Sequence, residues 1–98
     1  MTDKDKQRIE VFEQLKQFIT EIIGKEIAEE IEISKESIFT KDLEMDSIEI
    51  VAFAEKVKNK YGKEYDFVNW LSGMQLEQIL SLSINDVIEF MVNGNTSN

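Results

Sequence analysis

The stretch DLEMDSIEIV, residues 42–51, decides how this chain folds, because a strong helix start falls inside it. Asp46 is a favourable N-cap residue, and Glu49 three positions later completes a capping-box pattern. Ser47 then occupies the first helical position, where unpaired N–H groups and a partial positive charge tolerate a phosphate. The sequence therefore predicts a helix that begins near Asp46, carries Ser47 at its start and ends at Gly62.

Two further amphipathic helices are predicted on either side of this one. Apolar residues at spacings of mostly three and four predict a first helix over about Asp5–Ile23, which Gly24 ends. A last helix is predicted to start at Ser83, which pairs with Asp86 as a cap. We expect the following side chains to face the core: Ile9, Phe12, Leu15, Phe18, Ile19, Ile22 and Ile23 from the first helix, Ile50, Phe53, Ala54, Val57 and Tyr61 from the second, and Ile84, Val87, Ile88 and Met91 from the last.

The segments between these helices have weaker patterns. Residues 25–41 fit no single period, which predicts a long ordered loop with a short helical turn near residues 26–30. Residues 74–80 predict a short helix whose apolar side chains point to the core. The polar tail, residues 93–98, is expected to fray. The fold class is therefore all-α: one domain over residues 1–98, with three main helices and one or two short ones in a small bundle.

Composition narrows the function. The chain has 20 acidic and 11 basic residues and a formal net charge of −9. This balance disfavours nucleic acid and anionic membranes and favours a partner with a basic surface. Because there is no Cys or His, disulfides and zinc sites built from these residues are excluded. Residues 1–6 do not resemble a signal peptide, and no run has the length of a membrane span, so we expect a cytoplasmic monomer.

The residues alone leave the role of Ser47 open. An unaided serine is a poor nucleophile, and without His a Ser-His-Asp triad cannot form. Serine–lysine chemistry would need a buried lysine, and Lys41, Lys56, Lys58 and Lys60 are expected to be solvated. The chain is therefore predicted not to be an enzyme. Ser47 is either the substrate of another enzyme or merely a second capping residue of the helix.

A family resemblance favours the first of these. Asp42-Leu43-x-x-Asp46-Ser47-Ile48-x-x-Val51 resembles the attachment motif of the acyl carrier protein family, whose usual form is D-L-G-x-D-S-L at the start of the second helix. Ser37-Ile38-Phe39, Val57-x-x-x-Tyr61 and residues 82–91 are also similar to the corresponding parts of that family. The resemblance covers nearly the whole chain. It implies the acyl-carrier type of three-to-four-helix bundle, with a long loop between the first two main helices.

The resemblance implies a cofactor and roles for particular residues. A phosphopantetheinyl transferase would move 4′-phosphopantetheine from coenzyme A onto Ser47, and Asp46 would help to hold the metal of that transferase. Acyl groups would be carried as thioesters on the arm for fatty-acid or polyketide-like biosynthesis. Acyl-loading and ketosynthase-type enzymes would contact the partner interface, residues Met45, Ile48, Glu49, Ala52 and Glu55. The acyl chain would lie among Phe53, Val57, Ile88 and Met91.

Departures from the family pattern keep other functions open. Glu44 stands where the family usually has Gly, which restricts the backbone before Ser47. The outward face of the second main helix carries fewer acids than in fatty-acid carriers, so a peptidyl or aminoacyl carrier of a nonribosomal pathway is an alternative. An unmodified acidic helical adaptor is another. A Ca²⁺ sensor is disfavoured, since an EF-hand loop starting at Asp42 would place Ser47 and Phe53 at positions that require Gly and Glu.

Overall fold

The computed structural model describes residues 2–62 and 65–93. Within these ranges the chain forms six α-helices and one isolated antiparallel bridge, between Ile38 and Ser83. None of these helices combines the length and the apolar character that crossing a membrane requires. The helices are α1 (Asp3–Ile23), α2 (Lys25–Ile31), α3 (Ser47–Tyr61), α4 (Phe67–Ser72), α5 (Leu76–Leu80) and α6 (Ile84–Asn93). The all-α class is confirmed, with three long helices as predicted and three short ones rather than one or two.

The long helices begin and end where local chemistry places their boundaries. The Thr2 hydroxyl accepts a hydrogen bond from the Asp5 amide, so α1 starts at Asp3, two residues earlier than predicted. Gly24 ends α1 with a positive φ of 98°, which suits a residue without a side chain. Ser83 and Asp86 exchange two hydrogen bonds of 3.0 and 3.2 Å at the start of α6, as the capping pattern predicts.

The core lies where α1, α3 and α6 pack together, with Phe53 at its centre. The Phe53 ring contacts the ring of Phe39 at 5.1 Å and that of Phe67 at 5.8 Å between centroids. Burial of each large apolar side chain contributes about 1.5–3 kcal/mol to folding. The predicted inward faces of α3 and α6 are confirmed for Ile50, Phe53, Ala54 and Val57 and for Ile84, Val87, Ile88 and Met91.

The prediction for α1 is only partly correct. Leu15 and Ile19 are buried, and Val11, which the sequence reading missed, is buried beside them. Ile9 was expected to face the core, but 53% of its surface is exposed. The reason is geometric: Val11, Leu15 and Ile19 follow one another at intervals of four residues along the buried side. Ile9 lies outside that row, on a neighbouring face of the helix.

The long loop between α2 and α3 is ordered by contacts with the segment before α6. The Phe39 amide donates to the Leu82 carbonyl at 3.0 Å, and the Ile84 amide donates to the Ser37 carbonyl at 3.0 Å. The Thr40 hydroxyl donates to the Leu80 carbonyl at 2.7 Å. The predicted ordered loop is therefore present, and the predicted helical turn within residues 25–41 is the seven-residue helix α2.

The short helices α4 and α5 differ in how they pack. In α4, Phe67 and Leu71 are buried, and Trp70 stacks on Phe90 of α6 with centroids 4.3 Å apart and planes inclined by 15°. The prediction that α5 turns its apolar side chains to the core is wrong for Leu76, which is 67% exposed, and for Leu80. A five-residue helix buries only one narrow face, and here the partly buried Ile79 occupies it.

The last helix extends one residue further than predicted. Asn93 lies in the segment that is predicted to fray, but it is the final residue of α6. Its side-chain oxygen accepts a hydrogen bond of 2.7 Å from Lys4 Nζ, and its side-chain nitrogen donates to Glu89 at 2.9 Å. These bonds hold the end of α6 against the start of α1. The remainder of the predicted tail, residues 94–98, lies outside the described residues.

A bidentate ion pair also joins α1 to α6. Arg8 Nε donates to one Glu89 carboxylate oxygen at 2.7 Å, and Arg8 Nη2 donates to the other at 3.2 Å. The hydrogen bonds from Arg8, together with its charge, hold the pKa of Glu89 below its ordinary value of 4.5. A carboxylate with a lowered pKa stabilises the fold above its unfolded-state pKa, and this stabilisation is lost as pH falls through the folded-state pKa.

We expect Glu89→Gln to lower the free energy of unfolding at pH 7 and to have little effect well below pH 4.5. At low pH the wild-type carboxyl is itself protonated and the ion pair is already broken. The Arg8 side chain is 32% exposed and the Glu89 side chain 40%, so solvent screens the pair and the effect is modest. Urea unfolding across this pH range measures it. The control is Glu29→Gln, whose carboxylate forms no ion pair with any residue that the structure describes. An effect of Glu89→Gln that does not change with pH would contradict the prediction.

Candidate functional site

The start of α3 is built by a reciprocal cap. The Glu49 amide donates to Asp46 Oδ1 at 2.8 Å, and the Asp46 amide donates to Glu49 Oε1 at 3.1 Å. Asp46 has the extended backbone of an N-cap residue, with φ −86° and ψ 178°. The predicted capping box is confirmed, and so is the predicted end of the helix at Gly62. These two carboxylates fix the direction in which α3 leaves the loop.

Ser47 is the first residue of α3, and its side chain is exposed. Its hydroxyl makes no hydrogen bond within residues 2–62 and 65–93, because Asp46 and Glu49 supply the side-chain cap of this helix end. Ser47 is therefore not a second capping residue. The fold presents a primary hydroxyl to solvent beside the positive end of the helix dipole.

The carboxylates beside Ser47 are only partly occupied by the cap. Asp46 uses Oδ1 to accept from the Glu49 amide, while Oδ2 accepts no hydrogen bond from any residue that the structure describes. Asp46 is exposed and Glu49 is half-buried. Asp46 can thus hold the helix end with one oxygen and offer the other to a cation brought by a second protein.

Met45 is the one predicted interface residue that the structure removes from the surface. Its side chain is only 3% exposed and belongs to the core cluster. The Met45 amide donates to the Phe39 carbonyl at 2.9 Å, which draws this part of the loop against the bundle. The prediction that Met45 contacts partner proteins is therefore corrected. Its side chain packs in the core directly before the start of α3.

The other predicted interface residues lie on or beside the outward face of α3. Ile48 is 78% exposed, Ala52 and Glu55 are exposed, and Glu49 is half-buried beside them. Val51 is also exposed on this helix and was missed as a candidate. Its position three residues after Ile48 was the signal that could have found it, because residues three apart share a helix face. The first turns of α3 therefore present aliphatic side chains directly after the serine.

The four residues predicted to surround an acyl chain lie in the core. Phe53, Val57 and Ile88 are fully buried and Met91 nearly so, and all four belong to one apolar cluster formed by α3 and α6 with α1. An open cleft of about 550 Å³ beside α6 is lined by other residues, among them Trp70, Met74 and Phe90. The acyl cavity stays a prediction, and these four residues would have to move apart to admit a chain.

Two of the alternating acidic residues before Ser47, Asp42 and Asp46, accept hydrogen bonds from backbone amides. Asp42 Oδ2 accepts from the Ile38 amide at 2.8 Å, and Asp46 caps α3. Within the described ranges, no three Asp or Glu side chains are grouped in a way that could hold a metal ion. The carboxylates of this loop thus shape the approach to Ser47.

Comparison of the chain with protein-family models, with curated proteins and with solved structures found no match in any of the three.

Replacing Ser47 and Asp46 separately should show which of them the fold needs. We expect Ser47→Ala to change the free energy of unfolding by less than about 0.5 kcal/mol, because its hydroxyl is exposed and unbonded. We expect Asp46→Ala to lower it by about 1 kcal/mol through loss of the N-cap. Urea unfolding followed by circular dichroism measures both. A loss for Ser47→Ala as large as that for Asp46→Ala would make Ser47 a structural residue.

Glu44 has the left-handed backbone conformation, with φ 50°, three residues before Ser47. A residue with a side chain is strained there by about 1–2 kcal/mol, whereas glycine is not. The stability gained by removing this strain is partly offset, because glycine has more conformational freedom than glutamate in the unfolded chain. The conformation at this position is thus one that favours the glycine usual in the family that the motif resembles.

We expect Glu44→Gly to stabilise the fold by on the order of 0.5 kcal/mol, which is what remains after that offset. The control is Glu13→Gly, at an exposed position inside α1, which should destabilise the fold by about 1 kcal/mol. Thermal unfolding of both variants beside the wild type tests the pair. Destabilisation by Glu44→Gly would show that the Glu44 side chain makes a contribution larger than its backbone strain.

Proposed function

We propose that this chain is an acyl carrier protein that holds acyl intermediates as thioesters on a 4′-phosphopantetheine arm attached to Ser47. One observation carries the proposal: an exposed, unbonded serine hydroxyl at the first position of a helix that Asp46 and Glu49 cap. The motif Asp42-Leu43-x-x-Asp46-Ser47 supports it by resemblance to the acyl carrier family. The carrier itself performs no catalysis.

The attachment step uses chemistry that another enzyme supplies. The Ser47 Oγ attacks the phosphorus of coenzyme A that bears the pantetheine, and a phosphodiester bond forms. The bond between that phosphorus and the bridging oxygen of the pyrophosphate breaks, adenosine 3′,5′-bisphosphate leaves with this oxygen, and the serine proton passes to a base of the phosphopantetheinyl transferase. An exposed hydroxyl suits this role because the enzyme must reach it from outside. The phosphate formed lies by the N–H groups of the first turn of α3, where negative charge is favoured.

The composition of the chain is consistent with a reactive group that is attached to the folded protein. The protein has no cysteine, so the thiol at the end of the arm would be the one thiol in the molecule. Acyl groups would be transferred to and from that thiol without competition from the polypeptide. The free Oδ2 of Asp46 is suitably placed to contact the metal of the transferase while Oδ1 keeps the cap intact.

The enzymes that act on the carrier would meet it at the face that follows Ser47. This face combines the aliphatic Ile48, Val51 and Ala52 with the acids Glu49 and Glu55. Such a surface fits acyl-loading and ketosynthase-type partners whose contact has an apolar centre and a basic rim. The pathway would be fatty-acid or polyketide-like biosynthesis.

A second candidate is a peptidyl or aminoacyl carrier of a nonribosomal pathway. The aliphatic character of the exposed start of α3 favours it, because fatty-acid carriers place more acids there than this chain does. The arm and the attachment residue would be the same, and the loading enzyme would be an adenylating one. A third reading, an unmodified acidic helical adaptor, requires that no arm is attached.

Incubation of the purified protein with coenzyme A and a broad-specificity phosphopantetheinyl transferase tests the proposal by intact mass. We expect a gain of one phosphopantetheine that Ser47→Ala abolishes and that Ser72→Ala, an exposed serine on α4, leaves unchanged. Asp46→Asn keeps a residue that caps helices well but removes the charge. We expect it to slow attachment at least about tenfold, as loss of a charged ligand or positioning contact does, with little loss of stability.

An unchanged mass of the folded wild-type protein would refute the carrier proposal and leave the adaptor reading. Equal attachment rates for Asp46→Asn and the wild type would remove Asp46 from the metal site. The class of cargo is then decided by which enzyme loads the holo form, an acyl-loading enzyme or an adenylating enzyme with its amino acid.

A further inference from the structure

A groove runs along the uncovered side of α1. One cleft of about 520 Å³ lies between α1 and residues 33–36, and a second of about 570 Å³ lies between α1 and α2. The two clefts share Ile33. A shallower depression along α1 shares Ile9 with the first cleft and shares Lys16 and Thr20 with the second. The three depressions adjoin one another at these shared residues, and together they are called the α1 groove.

The α1 groove has an apolar floor and a charged rim. Ile9, Phe12 and Ile33 form the floor of its first part, and Ile9, which lies outside the buried row of α1, is half exposed there. Six carboxylates line the groove: Asp5, Glu10, Glu13, Glu29, Glu32 and Glu36. Four cations, Arg8, Lys16, Lys25 and Lys35, also line it. Each of the two clefts has as many cations as carboxylates. The acidic excess comes from Glu10 and Glu13 in the shallower depression and from the pairing of Arg8 with Glu89 outside the groove.

The dimensions of the groove fit a helix. Its walls on α1 extend from Asp5 to Thr20, which corresponds to about 22 Å along the helix axis. A partner helix of about four turns has the same length and lays one apolar stripe into such a groove. A second copy of this chain is disfavoured as occupant, because each copy has a net charge of −9 and would bring its own acidic rim against the other.

We propose that the α1 groove binds an amphipathic, basic helix of another protein. The apolar stripe of that helix covers Ile9 and Phe12, and its lysines or arginines face the carboxylates of the rim. The groove lies on α1 and α2, whereas Ser47 and the aliphatic face after it lie on α3. The proposal thus goes beyond the proposed carrier function and gives the chain a second binding surface, which does not depend on modification of Ser47.

The test uses a synthetic Leu/Lys peptide of about 16 residues, with leucines at helical spacing on one face. The ¹⁵N-labelled full chain is titrated with it, and amide shifts are followed by NMR. We expect shift changes that concentrate on α1, α2 and residues 33–36, and affinity that falls as salt is added. A scrambled peptide of the same composition, without an apolar face, should bind at least roughly tenfold more weakly, since it loses the burial of a leucine stripe.

Two matched variants test whether the peptide binds at the α1 groove. Ile9→Lys should weaken peptide binding by roughly tenfold, because it removes apolar contact and adds a charge of the same sign as the peptide. Ile27→Lys is the control, since Ile27 is 50% exposed on α2 and lines none of the three depressions. Glu13→Lys, at the exposed rim, should weaken binding at low salt without disturbing the floor. Ser47→Ala should bind as the wild type does, which separates this test from that of the carrier function.

Any of the following results would overturn the proposal. The first is equal binding of the scrambled peptide, which would indicate charge attraction without a groove. The second is shift changes that concentrate around Ile48, or equal weakening by Ile9→Lys and Ile27→Lys. The third is a concentration-dependent dimer of the chain alone that Ile9→Lys disrupts, which would assign the α1 groove to a second copy.

Discussion

The backbone pairing between residues 37–39 and 82–84 is the constraint on which the rest of the molecule depends. Two hydrogen bonds, from Phe39 to Leu82 and from Ile84 to Ser37, join a loop before α3 to the segment that starts α6. Because of them, the Phe39 ring packs on Phe53 in the core, and the Phe39 carbonyl is placed to receive the Met45 amide. Without this pairing, the chain between α2 and α3 would keep much of its conformational freedom, at about 1–2 kcal/mol per residue.

This pairing fixes the position of the start of α3. Met45 is held against the core, and Asp46 follows it immediately with the cap that directs the helix outward. The result is a rigid platform for a single hydroxyl. The proposed arm, if attached there, would move freely while its anchoring point stays fixed. The aliphatic side chains that follow Ser47 lie on the same rigid helix, so their position relative to the hydroxyl does not depend on loop motion.

Local patterns in the sequence predicted the parts of this structure that local chemistry determines. The capping boxes at Asp46 and Ser83, the stop at Gly24 and the inward faces of α3 and α6 all follow from residues within one or two helical turns. The bridge between Ile38 and Ser83 joins residues far apart in sequence, and no local pattern encodes it. The burial of Met45 follows from that bridge and from the left-handed backbone at Glu44, so it could not be predicted either. The short α5 was misjudged because its length leaves little of it to bury.

The pair formed by Trp70 and Phe90 has a consequence for observing this protein. The chain has a single tryptophan, and its indole lies flat on a ring of α6 from a six-residue helix. Tryptophan fluorescence therefore reports whether α4 remains packed against α6. The far-ultraviolet circular dichroism signal is instead dominated by the three long helices. If the short segment detaches before the long ones melt, the two signals will have different midpoints during denaturation. A coincidence of the two midpoints would instead identify the whole bundle as one cooperative unit.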